Sequence, residues 1–409
     1  MSPTLKRALL IAGLIIVVAL IGFGLYKMFQ KTTGIGTTRP GVTPTEPGQL
    51  PTAGERPVTG TVATSPGTLP AGQTVTLPPQ TLPPSYYQPK PVQTIVDNYA
   101  SYASLDKNGS LRYYDAGEGK FYRVLPNGEI KELSGQVFYN VQNVTWAPSN
   151  NKAILEYPDG NKTLYNFEMQ KQYAVPQHWD DFTFSPDSRQ YGAKSLGLSP
   201  ENRWLVISND DGTGSKLIAA LGENEKKVTM NWSPSRQVIA FSQTGEPLGA
   251  ERHEVLFLGL NNENFKSTIV EGNDFRPNWS PTGKKLLYSV YSARTDYKPE
   301  LWLVDSYGDQ IGDNRQMLKL NTWADKCAFA DDTTLFCAVP RSLPQGAGIL
   351  PEVASGIYDD VYKIDVKTGL NTSIPMGGDY QINSIFYDQS QNRVIFTADN
   401  SSGVFEAQL

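Results

Sequence analysis

Histidine and cysteine are scarce in this 409-residue chain, with two of each. His178 and His253 do not stand at zinc-type spacing with Cys327 and Cys337, so no metal centre of that kind is expected, and no cofactor. Positive charge is also short. The formal net charge is −5, and the 36 Lys and Arg are scattered rather than clustered, which leaves no basic field for phosphate backbones and makes nucleic acid an unexpected partner. No serine occupies a G-x-S-x-G elbow and no glycine-rich phosphate loop precedes a helix. Acidic doublets such as Asp180-Asp181, Asp210-Asp211 and Asp359-Asp360 read as turn residues rather than metal ligands.

Long apolar runs are missing as well, with one exception. From Ala8 to Tyr26 the chain is uncharged and apolar. At 1.5 Å per residue such a run of about 19 residues matches a hydrocarbon core of about 30 Å. Lys6 and Arg7 precede it, as in a secretory signal, but no small-x-small site follows, which points to an uncleaved signal anchor. Charges flanking the run are nearly balanced, so orientation rests on the short N-terminal tail staying cytoplasmic, which puts the remainder outside a cell membrane crossed once. Residues 1–30 are thus expected to be tail and transmembrane helix. Residues 31–91 turn to Thr, Pro, Gly and Gln with almost no large apolar side chains, and a segment of that composition cannot offset its chain entropy. A disordered linker is expected there.

Residues 92–409 differ in kind. Across the whole chain Gly (36), Pro (29) and Tyr (21) are plentiful, a mixture that suits short strands and tight turns. An aromatic strand running into a polar turn and a second strand recurs seven times. The best copies are Trp146-Ala147-Pro148-Ser149, Phe184-Ser185-Pro186-Asp187, Trp232-Ser233-Pro234-Ser235 and Trp279-Ser280-Pro281-Thr282-Gly283. Weaker copies are Ser104 to Gly109, Phe329 to Asp332 and Phe386 to Gln389. Proline presets φ for a type I turn, and Gly283 suits the left-handed position that follows it. Two further strands after each hairpin make a four-stranded unit of about 45 residues, the blade of a propeller. The last unit lacks its outer strand, and Val92 to Asp97 reads as the strand that completes it. The expected class is all-β, a seven-bladed β-propeller behind a single transmembrane helix and a disordered linker.

The Trp/Phe-Ser-Pro pattern, with endings such as Val361 to Gly369, resembles the TolB-type, WD40-like (PD40) propeller repeats of bacterial cell-envelope proteins. The resemblance covers roughly residues 92–409. It implies the fold and frequent protein-binding roles, and transfers no activity.

The repeat aromatics are expected to pack between blades. Cys327 and Cys337 flank the sixth hairpin turn symmetrically, which sets them opposite each other as either a disulfide or two buried thiols. Connections between second and third strands lengthen in blades four to six, over Gln243 to Arg252, Ser292 to Pro299 and Val339 to Gly356. Equivalent connections leave a propeller on one face, so these form either a raised binding rim or neutral loop drift. The loops carry Arg252, His253, Arg294, Tyr297, Arg341, Leu343 and Tyr358. Trp179 and Trp323 lie on the neighbouring strand-four-to-one connections, and aromatic and Arg residues of this kind are enriched at binding hot spots. The function expected is a non-catalytic binding or scaffolding module for an envelope protein or cell-wall component, membrane-bound through the N-terminal helix. The rival class is a propeller enzyme acting on glycans or peptides.

Overall fold

The computed structural model describes residues 92–261 and 263–409. The transmembrane helix expected within residues 1–30 and the linker of residues 31–91 lie outside them. Among the described residues no helix is long and apolar enough to cross a membrane.

Strand β1 (Gln93–Val96) comes first, and seven sheets follow. Blade one holds β2 (Ala100–Leu105), β3 (Leu111–Asp115), β4 (Lys120–Val124) and β5 (Ile130–Glu132). Blade two holds β6 (Asn143–Trp146), β7 (Lys152–Glu156), β8 (Lys162–Asn166) and β9 (Lys171–Val175). Blade three holds β10 (Trp179–Phe184), β11 (Gln190–Leu196), β12 (Arg203–Asn209) and β13 (Lys216–Ala220). In blade four, β14 (Val228–Met230) is followed by a second strand broken into β15 (Ala240–Ser242) and β16 (Pro247–Gly249), then β17 (Arg252–Leu258) and β18 (Thr268–Glu271). Blade five is β19 (Asn273–Trp279), β20 (Lys285–Tyr291), β21 (Pro299–Asp305) and β22 (Gln316–Met317). Blade six is β23 (Cys327–Asp331), β24 (Thr334–Pro340), β25 (Asp359–Asp365) and β26 (Leu370–Ile374). Blade seven is β27 (Ile382–Asp388), β28 (Arg393–Ala398) and β29 (Ser401–Gln408), with β1 paired antiparallel on the outside of β29. The closure read from the short last unit is the one observed.

Every pairing within a blade is antiparallel, so strand ends alternate between two faces. The rim face carries the connections from second to third strands and from one blade to the next. The turn face carries the hairpins that hold the Ser-Pro motifs.

The motif serine has a repeated job on the turn face. Ser185, Ser233 and Ser280 are buried, and each hydroxyl accepts the backbone N–H five residues on, from Gln190, Val238 and Lys285 at 3.0 to 3.1 Å. The serine N–H donates to the carbonyl of that same residue in all three copies. The position three after the serine is left-handed, at Ser188 (φ 58°), Arg236 (φ 66°) and Gly283 (φ 71°). Only the last is glycine, and the close approach explains it: a Cβ on Gly283 would stand 2.8 Å from the backbone nitrogen of Ser235 in the preceding blade.

The apolar interior is divided into seven layers, one between each pair of neighbouring blades. Phe121 of blade one meets Trp146 and Phe167 of blade two, and Phe241 of blade four stacks on Trp279 of blade five at 5.3 Å. Val96 of β1 shares its layer with Val404 of blade seven and Leu111 and Tyr113 of blade one, so closure joins the ends of the ring through the same packing as any other blade contact.

Candidate functional site

The three long connections of blades four to six touch one another on the rim face. The blade-four hairpin turns at Ala250 and Glu251, both left-handed (φ 49° and 60°). The Glu251 carboxylate accepts the backbone N–H of Ala293 in the blade-five loop at 2.8 Å. That loop has a second left-handed pair, Asp296 and Tyr297, whose carbonyls accept the N–H groups of Gly346 and Gly348 from the blade-six insertion at 2.9 and 2.7 Å. Gly348 is required by proximity, since a Cβ there would meet the Tyr291 side chain at 2.5 Å. Two adjacent left-handed non-glycine residues are costly, and such strain persists only where surroundings hold it. Here the neighbouring loop supplies the hold.

The candidate residues divide by what they already touch. Arg341 bonds Asp360 at 2.9 Å and Asp379 at 2.7 Å, with its guanidinium over the Tyr358 ring at 5.8 Å. Those two carboxylates raise its pKa further above its usual value. Arg294 pairs with the buried Glu300, lies 3.8 Å from Glu271 and covers Trp302. Both arginines therefore fasten the insertions to the blades beneath them. Arg252 is exposed and, among the described residues, makes no ion pair; its guanidinium reaches only the Leu248 carbonyl, at 3.5 Å. His253 is half-buried with Nε2 unpartnered, and burial depresses its pKa although its bond to the Glu251 backbone opposes this. Tyr297 is partly buried and edge-on to Tyr291, and Leu343 is partly buried.

Trp179 and Trp323 are not exposed anchors. They are 8% and 6% exposed, and Trp179 packs against Tyr191 in the layer between blades two and three. A strand-four-to-one connection only three residues long drops Trp179 directly into the inner strand β10, where a large apolar ring belongs in the core. What replaces them on the surface is the tip of the blade-six insertion. Ile349, Leu350 and Val353 are 57%, 53% and 41% exposed, beside Tyr358 at 39%. The signal for them was only the Ile349-Leu350-Pro351 run inside a long connection.

Cys327 and Cys337 are directly opposed in the β23–β24 pair, with Cα atoms 4.1 Å apart, and their sulfurs are joined as a disulfide. That spacing is the close, non-hydrogen-bonded kind of antiparallel pair. Nearby on the rim face, Asp359 is fully buried, bonded by Lys326 at 2.6 Å and by the Ile382 N–H at 2.7 Å. Burial raises its pKa, and the lysine only partly offsets this. Asp181 pairs with Lys194 at 2.9 Å and Asp274 with Arg276 at 2.8 Å. Among the described residues no group of three or more His, Cys, Asp or Glu is placed to hold a metal ion.

The comparisons with solved structures agree on architecture. The β-propeller domain of Cps50 (Swd1) from Myceliophteria thermophila superposes with a TM-score of 0.53 at 12% identity, over 78% of this chain and all of that one. An oligogalacturonate lyase in complex with manganese gives 0.53 at 13% identity, over 78% and 93%. Hydrazine synthase of Kuenenia stuttgartiensis gives 0.50 at 11% identity, over 80% and 99%. What they share is the fold. No family model matches the chain, and no curated protein sequence matches it. A scaffold common to the Cps50 propeller domain, a lyase and a synthase transfers no activity.

Proposed function

We propose that this chain is a non-catalytic binding module of the bacterial cell envelope. In this reading residues 8–26 anchor it, the propeller lies outside the membrane, and the rim of blades four to six captures an envelope protein or a cell-wall component. The observation that carries the reading is the rim itself: three insertions braced to one another through strained turns, crowned by exposed Ile349, Leu350, Val353 and Tyr358. Drifting loops have no reason to share such contacts, whereas an exposed apolar crown with a polar surround is typical of interaction sites.

Two further features support it. A disulfide between Cys327 and Cys337 persists in an oxidising compartment, as outside the cell membrane. The Ser-Pro turns resemble TolB-type repeats, whose setting is the envelope. Three rim-face carboxylates, Asp181, Asp274 and Asp359, are each paired with a lysine or arginine.

Crosslinking the full chain in its own cells tests this. Ile349→Asp combined with Leu350→Asp, both at exposed positions, should leave the melting temperature unchanged and cut partner recovery at least tenfold. Recovery of the same partners at the same yield by this variant, and by one lacking residues 341–354, would overturn the rim as the binding surface.

A further inference from the structure

On a different arc of the rim face, away from the insertions of blades four to six, three connections around blade two enclose a cleft of about 830 Å³. The connection into the blade brings Tyr139 and Asn140, the β7–β8 turn brings Tyr157, Pro158 and Asp159, and the connection out of it brings Pro176. Tyr139 is 74% exposed, yet its place is fixed by Phe138 beneath it. Phe138 is buried against Phe121 and Tyr165, its N–H donates to the Gly119 carbonyl at 2.7 Å, and its carbonyl accepts the Tyr114 hydroxyl at 2.6 Å. An aromatic ring held out on such a base offers contact area at little entropic cost. Tyr157 is partly buried, and both prolines are exposed. Two tyrosines and two prolines give the cleft flat, stiff and largely apolar walls.

The polar groups narrow what these walls can take. Tyr139 and Asn140 are both exposed, and neither the hydroxyl of the one nor the side-chain amide of the other makes a hydrogen bond among the described residues. Both can donate. Lys162 lines the cleft but lies 3.6 Å from Glu156 and 3.6 Å from Asp180, while the exposed Asp159 makes no ion pair among the described residues. Three carboxylates thus stand against one ammonium, and the local excess is negative. A ligand suited to this cleft accepts hydrogen bonds, packs flat apolar surface on aromatic rings and carries positive charge. An α-helix keeps its carbonyls bonded within itself. A polyproline II helix bonds none of its backbone groups internally, so its carbonyls are free to accept, and aromatic-lined grooves are what such segments dock into.

We propose that this cleft docks a proline-rich segment of a partner protein in the polyproline II conformation. Its proline rings pack on Tyr139 and Tyr157, its carbonyls accept from the Tyr139 hydroxyl and the Asn140 amide, and a Lys or Arg of the segment pairs with Asp159. The site is additional to the apolar crown of blades four to six and shares no residue with it.

Fluorescence anisotropy of the full-length protein with the labelled decapeptide APPRPPRPPA tests it, with APPEPPEPPA as the control for charge and AAARAARAAA as the control for proline. The first peptide should bind with a Kd at or below about 100 µM, and the other two at least tenfold more weakly. Tyr139→Ala, at an exposed position, should keep the melting temperature and weaken binding at least fivefold. Asp159→Asn keeps an oxygen for the Asn161 N–H that closes its turn, at 2.9 Å in the native chain, and should weaken APPRPPRPPA at least threefold without weakening APPEPPEPPA. Ile349→Asp with Leu350→Asp should leave peptide affinity intact while losing crosslinked partners, which separates failure of the cleft from failure of the crown. Absence of saturable binding by APPRPPRPPA, equal binding of the three peptides, or unchanged affinity in both Tyr139→Ala and Asp159→Asn would overturn the proposal.

Discussion

At the residue scale, the most instructive side chain is the serine of the Ser-Pro turns. Proline and the left-handed position are the textual signals of a turn, but the serine hydroxyl closes it by taking a backbone N–H that is otherwise buried. Ser233→Ala should therefore cost about 1–3 kcal/mol, the penalty for an orphaned buried donor, visible as a lower melting temperature. A change below about 0.3 kcal/mol would mean that water replaces the hydroxyl. Blade two makes the natural comparison, because Ala147 holds the same place, keeps the backbone bond to the Lys152 carbonyl and lacks the hydroxyl. The arginines teach the opposite lesson. Arg294 and Arg341 stand out in the sequence as anchors for a partner, yet their carboxylates are Glu300, Asp360 and Asp379, and nothing in local spacing shows that these are close.

At the scale of elements, hairpins were legible because their chemistry is local: an aromatic, a turn with proline, an apolar second strand. The closure of blade seven was legible by counting strands. Less visible was the break of the second strand of blade four into β15 and β16, because the stretch from Gln243 to Arg252 reads as one loop whereas Pro247–Gly249 pairs with β17. Exposure of Ile349 and Leu350 was hidden for a related reason, that apolar residues in an insertion look like core until the partner blade is known. Closure depends on one glycine. Gly403 has φ 106°, and a Cβ there would lie 2.1 Å from the Val96 carbonyl oxygen, where the β1–β29 register shifts. Gly403→Ala should loosen β1, destabilising the ring by roughly 1–3 kcal/mol and exposing the Val96 amide to rapid hydrogen exchange. Unaltered exchange at Val96 would show that the backbone relaxes without loss of pairing.

At the scale of the whole molecule, seven layers of packing between blades replace a single core, and each blade depends on two neighbours. The consequence is that the ring is only as secure as its seam, between blades seven and one, where chain connectivity is supplied by β1 alone. In β1 the chain runs from Gln93, toward the turn face, to Val96, toward the rim face, because Val96 pairs with Val404 and Gln93 with Glu406. Gln93 thus lies toward the side opposite the insertions, and a pull between it and the rim acts along the axis of β1. Tension along a strand loads its ladder bonds together, whereas tension across it would open them one after another. Optical-trap extension between a handle before residue 92 and one in the blade-six insertion should give a single rupture, at a force several times that needed when the same chain is pulled outward from β1; equal forces in the two directions would refute it. The strand that finishes the ring is thus also its mechanical clasp, oriented to resist a pull between its own N-terminal end and the rim.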